Sequence, residues 1–286
     1  MFGFRNDGRN VSGKVDPIVL FTPLIMPTRC ESMNEVTYPT EYEPMAAYIR
    51  KHKDSPYNIS FMTIIAAAYV RSIHYHPALN YFVMGNKIYS HKDISISLMV
   101  LKDGGDGEPQ EALAKMTFAP TDTIFDIAEK MEKEVAKAKR EGEKNSTSAF
   151  ANTLLQIPLL PSLVVAAARI LDRLGILPRF INKISPFHCS FFITNMMSIG
   201  LPSIYHHLYN FGTCSIFMSV GKPERQLTSS GGNLSRKLMV PLGIVTDERV
   251  CGGASYARAA HCLLNYLKHP ELLELTIDEE AALAAK

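Results

Sequence analysis

Near the C-terminus, a predicted strand passes into a predicted helix through a short charged segment, and this succession constrains the fold more than any other part of the chain. Residues 234–246 end in an apolar run that predicts a strand, and residues 253–267 predict a long helix. The intervening segment, 246–254, reads Thr-Asp-Glu-Arg-Val-Cys-Gly-Gly-Ala. Its two glycines provide flexible backbone just before the helix. A strand that leads directly into a helix is typical of domains in which helices pack on a sheet.

The rest of the chain shows the same mixture of strands and helices. Ser60 is a favourable N-cap, because its hydroxyl can accept a free backbone N–H at the start of a helix. The clearest amphipathic pattern carries Ile124, Ile127, Met131 and Val135 on one face. Further predicted strands are 17–26, 36–42, 93–101, 113–118, 191–194 and 213–220. Further predicted helices are 44–52, 61–76 and 121–139.

These patterns predict the domain organisation and the fold class. Residues 1–16 are expected to form a polar N-terminal arm. No internal repeat and no linker divides the remainder, so residues 17–286 are expected to form a single domain. The predicted fold is α+β, a two-layer sandwich in which helices pack on one mixed β-sheet.

Composition excludes several classes of protein. A formal net charge of +2, without a basic run interleaved with aromatic residues, gives no basis for nucleic-acid binding. The five cysteines are dispersed and form no C-x-x-C pair, which argues against a disulfide framework and a thiolate zinc site. His74, His76 and His188 lack partners at metal-ligand spacing, so no metal site is predicted. A reducing cytoplasm fits this cysteine usage best, and the N-terminus lacks the apolar core of a signal peptide.

Residues 154–176 are rich in leucine, valine, isoleucine and alanine and require a membrane test. Pro158 and Pro161 interrupt the first part of this stretch, and Arg169, Asp172 and Arg173 interrupt the second. No run therefore reaches the roughly 18–20 apolar residues that a transmembrane helix needs. We favour a core or interface helix, with a membrane-surface helix as the alternative.

Several segments match, in order and spacing, a known set of acyl-transfer motifs. Residues 76–80 read His-Pro-Ala-Leu-Asn, like the H-P-x-L-N that closes a Ser-capped helix. Residues 190–195 are similar to T-F-T-I-S-N, and residues 215–221 are similar to A-I-L-A-V-G. Residues 247–254 are similar to D-H-R-V-x-D-G-A. Over roughly 18–273, the chain thus resembles chloramphenicol acetyltransferase and the catalytic domain of 2-oxo acid dehydrogenase E2 acyltransferases, which implies a chloramphenicol acetyltransferase-like fold.

The resemblance also implies where catalytic groups belong, and two of them are replaced. Glu248 stands where the family has its general-base histidine, and Gly252 stands where an aspartate fixes an arginine. Thr194 falls where the family places an oxyanion-stabilising hydroxyl, and Asn195 could act in its place or beside it. For each of these positions a purely structural role is the alternative, such as pairing of Glu248 with Arg249 or Arg258.

The chemistry of the proton transfer is open to two assignments. An unperturbed glutamate has a pKa of about 4.3, so Glu248 is a poor base for a thiol unless burial raises that pKa. His206 and His207 are alternative bases, because an imidazole titrates near neutral pH. The alternative for the two histidines is an exposed aromatic and imidazole-rich loop. We therefore predict the catalytic set Glu248, Thr194, Asn195, His206 and His207.

Two functions follow from the resemblance. The first is an acyltransferase that moves an acyl group between a coenzyme A thioester and a small-molecule acceptor, without a covalently bound cofactor. The resemblance implies a homotrimer with active sites between subunits. The second is a non-catalytic homologue that binds a ligand or acts as a scaffold, which the paired replacements at Glu248 and Gly252 favour.

Overall fold

The computed structural model describes residues 5–103, 109–141, 159–230 and 233–284. Its strands are β1 (Gly8–Asn10), β2 (Met33–Glu41), β3 (Tyr81–Met84), β4 (Lys87–His91), β5 (Ile94–Asp103), β6 (Pro109–Phe118), β7 (Phe191–Asn195), β8 (Ile216–Val220), β9 (Glu224–Ser230) and β10 (Asn233–Asp247). Its α-helices are α1 (Pro17–Ile25), α2 (Tyr42–Lys51), α3 (Phe61–Tyr75), α4 (Ile124–Glu141), α5 (Leu160–Leu174), α6 (Arg179–Ile184), α7 (Gly253–Lys268) and α8 (Ile277–Ala284).

A seven-stranded mixed sheet forms the centre of the molecule. Its strand order is β2-β10-β8-β7-β5-β6, and β9 pairs with the first half of β10 as a hairpin. The short strand β7 runs parallel to β5 on one side and to β8 on the other, whereas the remaining pairs are antiparallel. Helices pack on this sheet, so the predicted α+β fold is confirmed.

One face of the sheet is covered by a helical layer. Helix α3 is almost wholly buried there, between the sheet and helices α4 and α7. Ser60 caps α3 as predicted, because its hydroxyl accepts the N–H of Thr63 at 3.2 Å while the Thr63 hydroxyl accepts the N–H of Ser60. The amphipathic α4 buries Ile124 and Ile127 against the same core. This layer contains the largest apolar cluster of the described residues.

The opposite face of the sheet carries a smaller apolar cluster. Phe192 and Phe217, from the adjacent strands β7 and β8, stack with ring centroids 4.9 Å apart on this side. Residues 201–215 and the region around α6 lie over them. Lys115 of β6 also points to this side and donates to backbone carbonyls, including that of Ser185 at 2.9 Å. The carbonyl dipoles thus stabilise the charge of this partly buried lysine.

The predicted strand at 17–26 is wrong, because residues Pro17–Ile25 form helix α1. Asp16 accepts the backbone N–H of Ile18 at 2.8 Å, and Pro17 occupies the first turn, where its missing N–H costs nothing. An Asp-Pro start of this kind is a helix signal, and it outweighs the apolar content that suggested a strand.

Residues 5–16, the described part of the predicted arm, pack against the rest of the molecule. Strand β1 adds to β4 and β3 in a second, three-stranded antiparallel sheet. Arg5 is buried and contacts the carboxylate of Asp172 at 2.7 Å. None of the helices in the described ranges is both long and apolar enough to cross a membrane.

We expect Ser60→Ala to lower the free energy of unfolding by about 1 kcal/mol, because the first turn of α3 loses the acceptor for a buried N–H. Urea unfolding followed by circular dichroism measures this change. Ser60→Thr retains the hydroxyl and is the matched control. Equal stability of the alanine and threonine variants would show that the cap contributes nothing.

Candidate active site

Thr194 and Asn195 lie at the end of β7, but their side chains differ in availability. Among the described residues, the Thr194 hydroxyl has one weak contact, 3.9 Å from the sulfur of Met196. The Asn195 side chain accepts the N–H of Ser198 at 3.2 Å and thereby caps the short turn that follows β7. Thr194 therefore keeps a hydroxyl that can meet a ligand, whereas the Asn195 oxygen already serves a local structural contact.

His206 is half-buried and its ring is held in one orientation. The imidazole stacks on Phe217, with ring centroids 4.2 Å apart and an interplanar angle of 7°. Its Nδ1 lies 2.8 Å from the carbonyl oxygen of His207. A carbonyl can only accept, so Nδ1 donates and Nε2 retains a free lone pair. Burial lowers the pKa of His206 below the ordinary value of 6.5, which keeps the ring neutral near neutral pH.

Thr194, Asn195 and His206 all line one cavity of about 780 Å³. This volume falls within the range of small-molecule sites, roughly 300–1,000 Å³. Apolar side chains form much of its wall, and α4 closes it on one side with Met131 and Val135. Residue chemistry predicts Thr194 and His206 as members of one catalytic set, and both lie at the same cavity in the structure.

His207 does not line this cavity. Its side chain is exposed, and its ring stacks on that of His206 at 4.5 Å between centroids. Its contribution is the backbone carbonyl that holds Nδ1 of His206. The structure thus separates the two predicted bases, because the His206 ring lines the cavity whereas the exposed His207 ring lies outside it, stacked on that of His206.

Glu248 also lies outside the cavity, at the far end of β10. In the sheet register, Thr194 of β7 pairs with Ser219 of β8, and Ser219 pairs with Gly243 of β10. Glu248 follows Gly243 by five residues, which is roughly 16 Å along an extended strand. Within one chain, Glu248 therefore cannot act on a group bound at Thr194. Its carboxylate accepts a hydrogen bond of 2.7 Å from the side chain of Asn34.

The alternative partners named for Glu248 are wrong. Arg249 contacts Asp247 instead, through Nε at 2.8 Å and a terminal nitrogen at 2.7 Å. Arg258 contacts the hydroxyl of Ser255. Glu248 remains only partly buried, so nothing in its surroundings demands an ion pair.

Asp247 is the carboxylate that organises this end of the sheet, and it is not among the residues predicted from the sequence. It is fully buried and accepts the Ser32 hydroxyl at 2.9 Å in addition to the bidentate contact from Arg249. A second arginine, Arg29, lies 3.8 Å from the same carboxylate. Burial lowers the pKa of Arg29. One negative charge thus stabilises two buried guanidinium groups. Because Arg29 and Asp247 are 218 residues apart, this contact leaves no local pattern in the sequence.

The remaining residues of the 246–254 segment offer no catalytic group. Burial raises the pKa of Cys251 to about 12, so its thiol stays protonated and unreactive at neutral pH. Gly252 precedes α7 in an extended conformation, and a Cβ built on it would meet no atom within 4 Å. The position can therefore hold a side chain, although none is present.

A close backbone approach fixes the segment that carries His206. The Ser219 hydroxyl accepts the N–H of Ile204 at 2.8 Å and donates to its carbonyl at 2.5 Å. A Cβ on Gly243 would lie only 2.6 Å from the same Ile204 carbonyl oxygen. Glycine is thus required at position 243 for residues 203–206 to lie flat on β8 and β10.

Comparison with known proteins defines the class of fold. No protein-family model matches the chain, and no curated protein matches it. The cubic core of the pyruvate dehydrogenase multienzyme complex is 15% identical, with a TM-score of 0.57 over 93% of this chain and 92% of that chain. A chloramphenicol acetyltransferase is 9% identical, with a TM-score of 0.54 over 91% of this chain and 100% of that chain. The predicted chloramphenicol acetyltransferase-like fold is confirmed.

A third similar structure comes from Azotobacter vinelandii. It is a dihydrolipoamide acetyltransferase whose catalytic mechanism was studied through a serine, a histidine and an asparagine. It is 16% identical to this chain, with a TM-score of 0.52 over 85% of this chain and 84% of that chain. Identities this low establish the shared fold and leave the activity to be argued from the site.

We expect Asp247→Asn to lower the free energy of unfolding by about 3–5 kcal/mol, because it leaves two buried arginines without their counter-charge. Glu248→Gln is the matched control, since the adjacent carboxylate is only partly buried and should tolerate the change to within about 0.5 kcal/mol. Guanidinium chloride unfolding distinguishes the two variants. A small loss for Asp247→Asn would mean that the arginines find other acceptors.

We expect Gly243→Ala to cost about 1–3 kcal/mol in unfolding free energy and to displace His206, because the added methyl group collides with the Ile204 carbonyl. Gly253→Ala is the control, since its methyl group meets open space at the start of α7 and should stabilise the protein by about 0.4–1 kcal/mol. Thermal unfolding and the NMR shifts of the His206 ring report both effects. An unshifted His206 signal in Gly243→Ala would contradict the constraint.

Proposed function

We propose that the protein is an acyltransferase that moves an acyl group from a coenzyme A thioester to a small-molecule acceptor in the cavity of about 780 Å³. The observation that carries the proposal is the shared lining of this cavity by the free Thr194 hydroxyl and the oriented imidazole of His206. A base and an oxyanion donor beside one apolar cavity are the groups that acyl transfer requires. The fold shared with acetyltransferases supports the same reaction class.

His206 would remove the proton from the acceptor. Its Nε2 is left free because Nδ1 is held by the His207 carbonyl, and stacking on Phe217 restricts rotation of the ring. A base is most effective when its neutral form predominates at the working pH. Burial lowers the pKa of His206, so the neutral form persists below pH 6.5.

Thr194 would stabilise the tetrahedral intermediate. When the acceptor attacks the thioester carbonyl, negative charge develops on the carbonyl oxygen, and a hydroxyl donor aimed at that oxygen lowers the barrier by a few kcal/mol. The hydroxyl is available because its only contact in the described structure is the sulfur of Met196. Collapse of the intermediate then expels the coenzyme A thiolate, which takes up the proton held by His206.

We further propose that the protein assembles as a homotrimer with its sites between subunits, in a reducing compartment such as the cytoplasm. The separation of roughly 16 Å along the sheet prevents Glu248 from reaching Thr194 of its own chain. In an assembly, Glu248 of one subunit could face the cavity of another. The carboxylate is partly exposed and held by Asn34, which leaves it accessible to a second chain.

Calorimetric titration with acetyl-CoA and with coenzyme A tests the first requirement of this proposal. We expect saturable binding of both in the micromolar range. Thr194→Ala should bind with similar affinity, because the proposed oxyanion contact forms in the transition state and not in the ground state. The absence of binding to either ligand would refute a coenzyme A-dependent reaction.

Turnover then tests the two residues. We expect His206→Gln to lower the rate of coenzyme A formation from acetyl-CoA, followed by chromatography with dihydrolipoamide or an alcohol as acceptor, by about 10²–10⁴-fold. Thr194→Ala should lower it by about 10²–10³-fold, with recovery in Thr194→Ser. His261→Gln is the matched control, since that exposed side chain lies on α7 and outside the cavity. The rate should fall as pH drops through a midpoint below 6.5, because protonation removes the base.

A non-catalytic homologue is the second candidate, and one observation favours it. Position 252 has space for a side chain but holds glycine, so the family's aspartate is missing without steric cause. If the unaltered protein binds acetyl-CoA without turnover, and Glu248→His combined with Gly252→Asp restores transfer, this candidate is correct. Turnover by the unaltered protein excludes it.

A further inference from the structure

Helix α5 is oriented opposite to an ordinary surface helix. It buries the carboxylate Asp172, which is 2% exposed, and leaves its apolar side in solvent. Leu163 is 65% exposed and Ile170 is 60% exposed, and Leu174 lies on the same stripe at helical spacing. Of the predicted core or interface helix at 154–176, the core alternative is wrong for the described part, 159–176, because the apolar stripe is exposed there; the interface alternative stays a prediction.

Buried polar contacts hold α5 in this orientation. Arg5 donates to the side chain of Asp172 at 2.7 Å and also to its backbone carbonyl at 2.7 Å. His188 lies 3.3 Å from the second carboxylate oxygen, and its other ring nitrogen contacts the Ser185 hydroxyl at 2.7 Å. Rotation of α5 that buried its leucines would break these contacts, at a cost typical of separating a buried ion pair. The contacts of Asp172 thus keep the apolar stripe of α5 exposed.

The exposed apolar surface continues beyond α5. Ile176 in the connection and Phe180 and Ile184 in α6 are all more than half exposed. Lys115 holds α6 on the sheet through its last carbonyls, so the helix cannot turn these side chains inward. An exposed apolar area of this length is uncommon on a protein that meets only water.

The charges around this surface have one sign. Residues 159–184 contain four basic side chains, and all four are exposed. The only acidic residue in the range 159–184 is Asp172, and it is buried in contact with Arg5. The basic residues are Arg169, Arg173, Arg179 and Lys183. A surface that combines exposed leucine, isoleucine and phenylalanine with arginine and lysine is complementary to an anionic lipid bilayer.

The length of α5 fixes the mode of contact. Its 15 residues span about 22 Å, which is less than the roughly 30 Å of a bilayer hydrocarbon core. We propose that the surface formed by residues 159–184 lies in the interface of an anionic phospholipid bilayer, with its apolar stripe among the acyl chains and its basic residues at the headgroups. Two copies of the chain that met face to face through this surface, as in a two-fold dimer, would instead place cations against cations.

Flotation with lipid vesicles tests this proposal. We expect the protein to bind vesicles made of equal parts phosphatidylglycerol and phosphatidylcholine, to bind pure phosphatidylcholine far more weakly, and to be released by added salt. Replacing all four basic residues by glutamine should lower the partition coefficient by about fivefold for each charge removed. Lys133→Gln with Lys137→Gln, on the exposed side of α4, is the control for lost positive charge.

Tryptophan fluorescence supplies a second test that does not depend on charge. The chain has no tryptophan, so Phe180→Trp places a single probe in α6. Its emission should shift to shorter wavelength when anionic vesicles are added. Leu283→Trp is the matched control, because α8 packs on α3 and α7, across the sheet from α6. Its emission should not change.

Three outcomes would overturn the proposal. One is equal binding of the unaltered protein and the glutamine variant to anionic vesicles. Another is an unchanged emission of Phe180→Trp in the presence of those vesicles. The third is a loss of self-association, measured by analytical ultracentrifugation without lipid, on changing Leu163 and Ile170 to serine, which would assign this surface to a second copy of the chain. Both variants change exposed side chains, and circular dichroism checks that each is folded.

Discussion

The hydrogen-bonded ladder of β10 is the interaction on which the other parts of the structure depend. This strand pairs with β9 in its first half and with β2 along its second half, and near its end it also pairs with β8. Its middle holds Gly243, which allows the His206 segment to lie flat, and its end delivers Asp247 to two arginines. A shift of one residue in register would reverse every side chain of the strand and remove both features together.

The two adjacent carboxylates at the end of β10 have different roles because their environments differ. Asp247 is fully buried and supports Arg29 and Arg249, so its charge is committed to holding the fold. Glu248 points the other way, is partly exposed, and contacts only the amide of Asn34 among the described side chains. Replacing a buried charge that has well-placed partners strongly lowers the stability of the fold, whereas replacing a solvated charge changes it little. Of the two positions, 248 is therefore the one that can vary without loss of the fold.

Local signals in the sequence predicted the local features correctly. The Ser60 cap and the amphipathic α4 depend on residues within one or two helical turns of each other, and both are confirmed. The predicted strand at 17–26 was wrong because it was based on apolar content alone, although Asp16 followed by Pro17 is a local signal for the start of a helix. Motif resemblance predicted the fold, and the structure has Thr194 near the end of β7, as the predicted strand 191–194 implies.

Other features depend on contacts between distant residues and could not be read from the sequence. The partners of Asp247 and Asp172 lie far along the chain, and the cavity arises only when α4, β7 and residues 201–209 meet. Nothing local indicates that His206 faces the cavity and His207 faces solvent, since that choice is set by the Ser219 contacts to Ile204. Residue chemistry alone gave the two histidines equal standing.

The cavity and the apolar surface are linked through one face of the sheet. Phe192 and Phe217 support the His206 side of the cavity on this face, and Lys115 and Ser97 hold the α6 region on it. The layer of α3, α4 and α7 lies on the opposite face and contributes to the cavity through α4 and the first turn of α3. If both proposals hold, the side of the molecule that meets lipid is also the side on which the base stands. An acceptor dissolved in the bilayer would then approach His206 without crossing the helical layer, whereas a charged thioester would enter from the water.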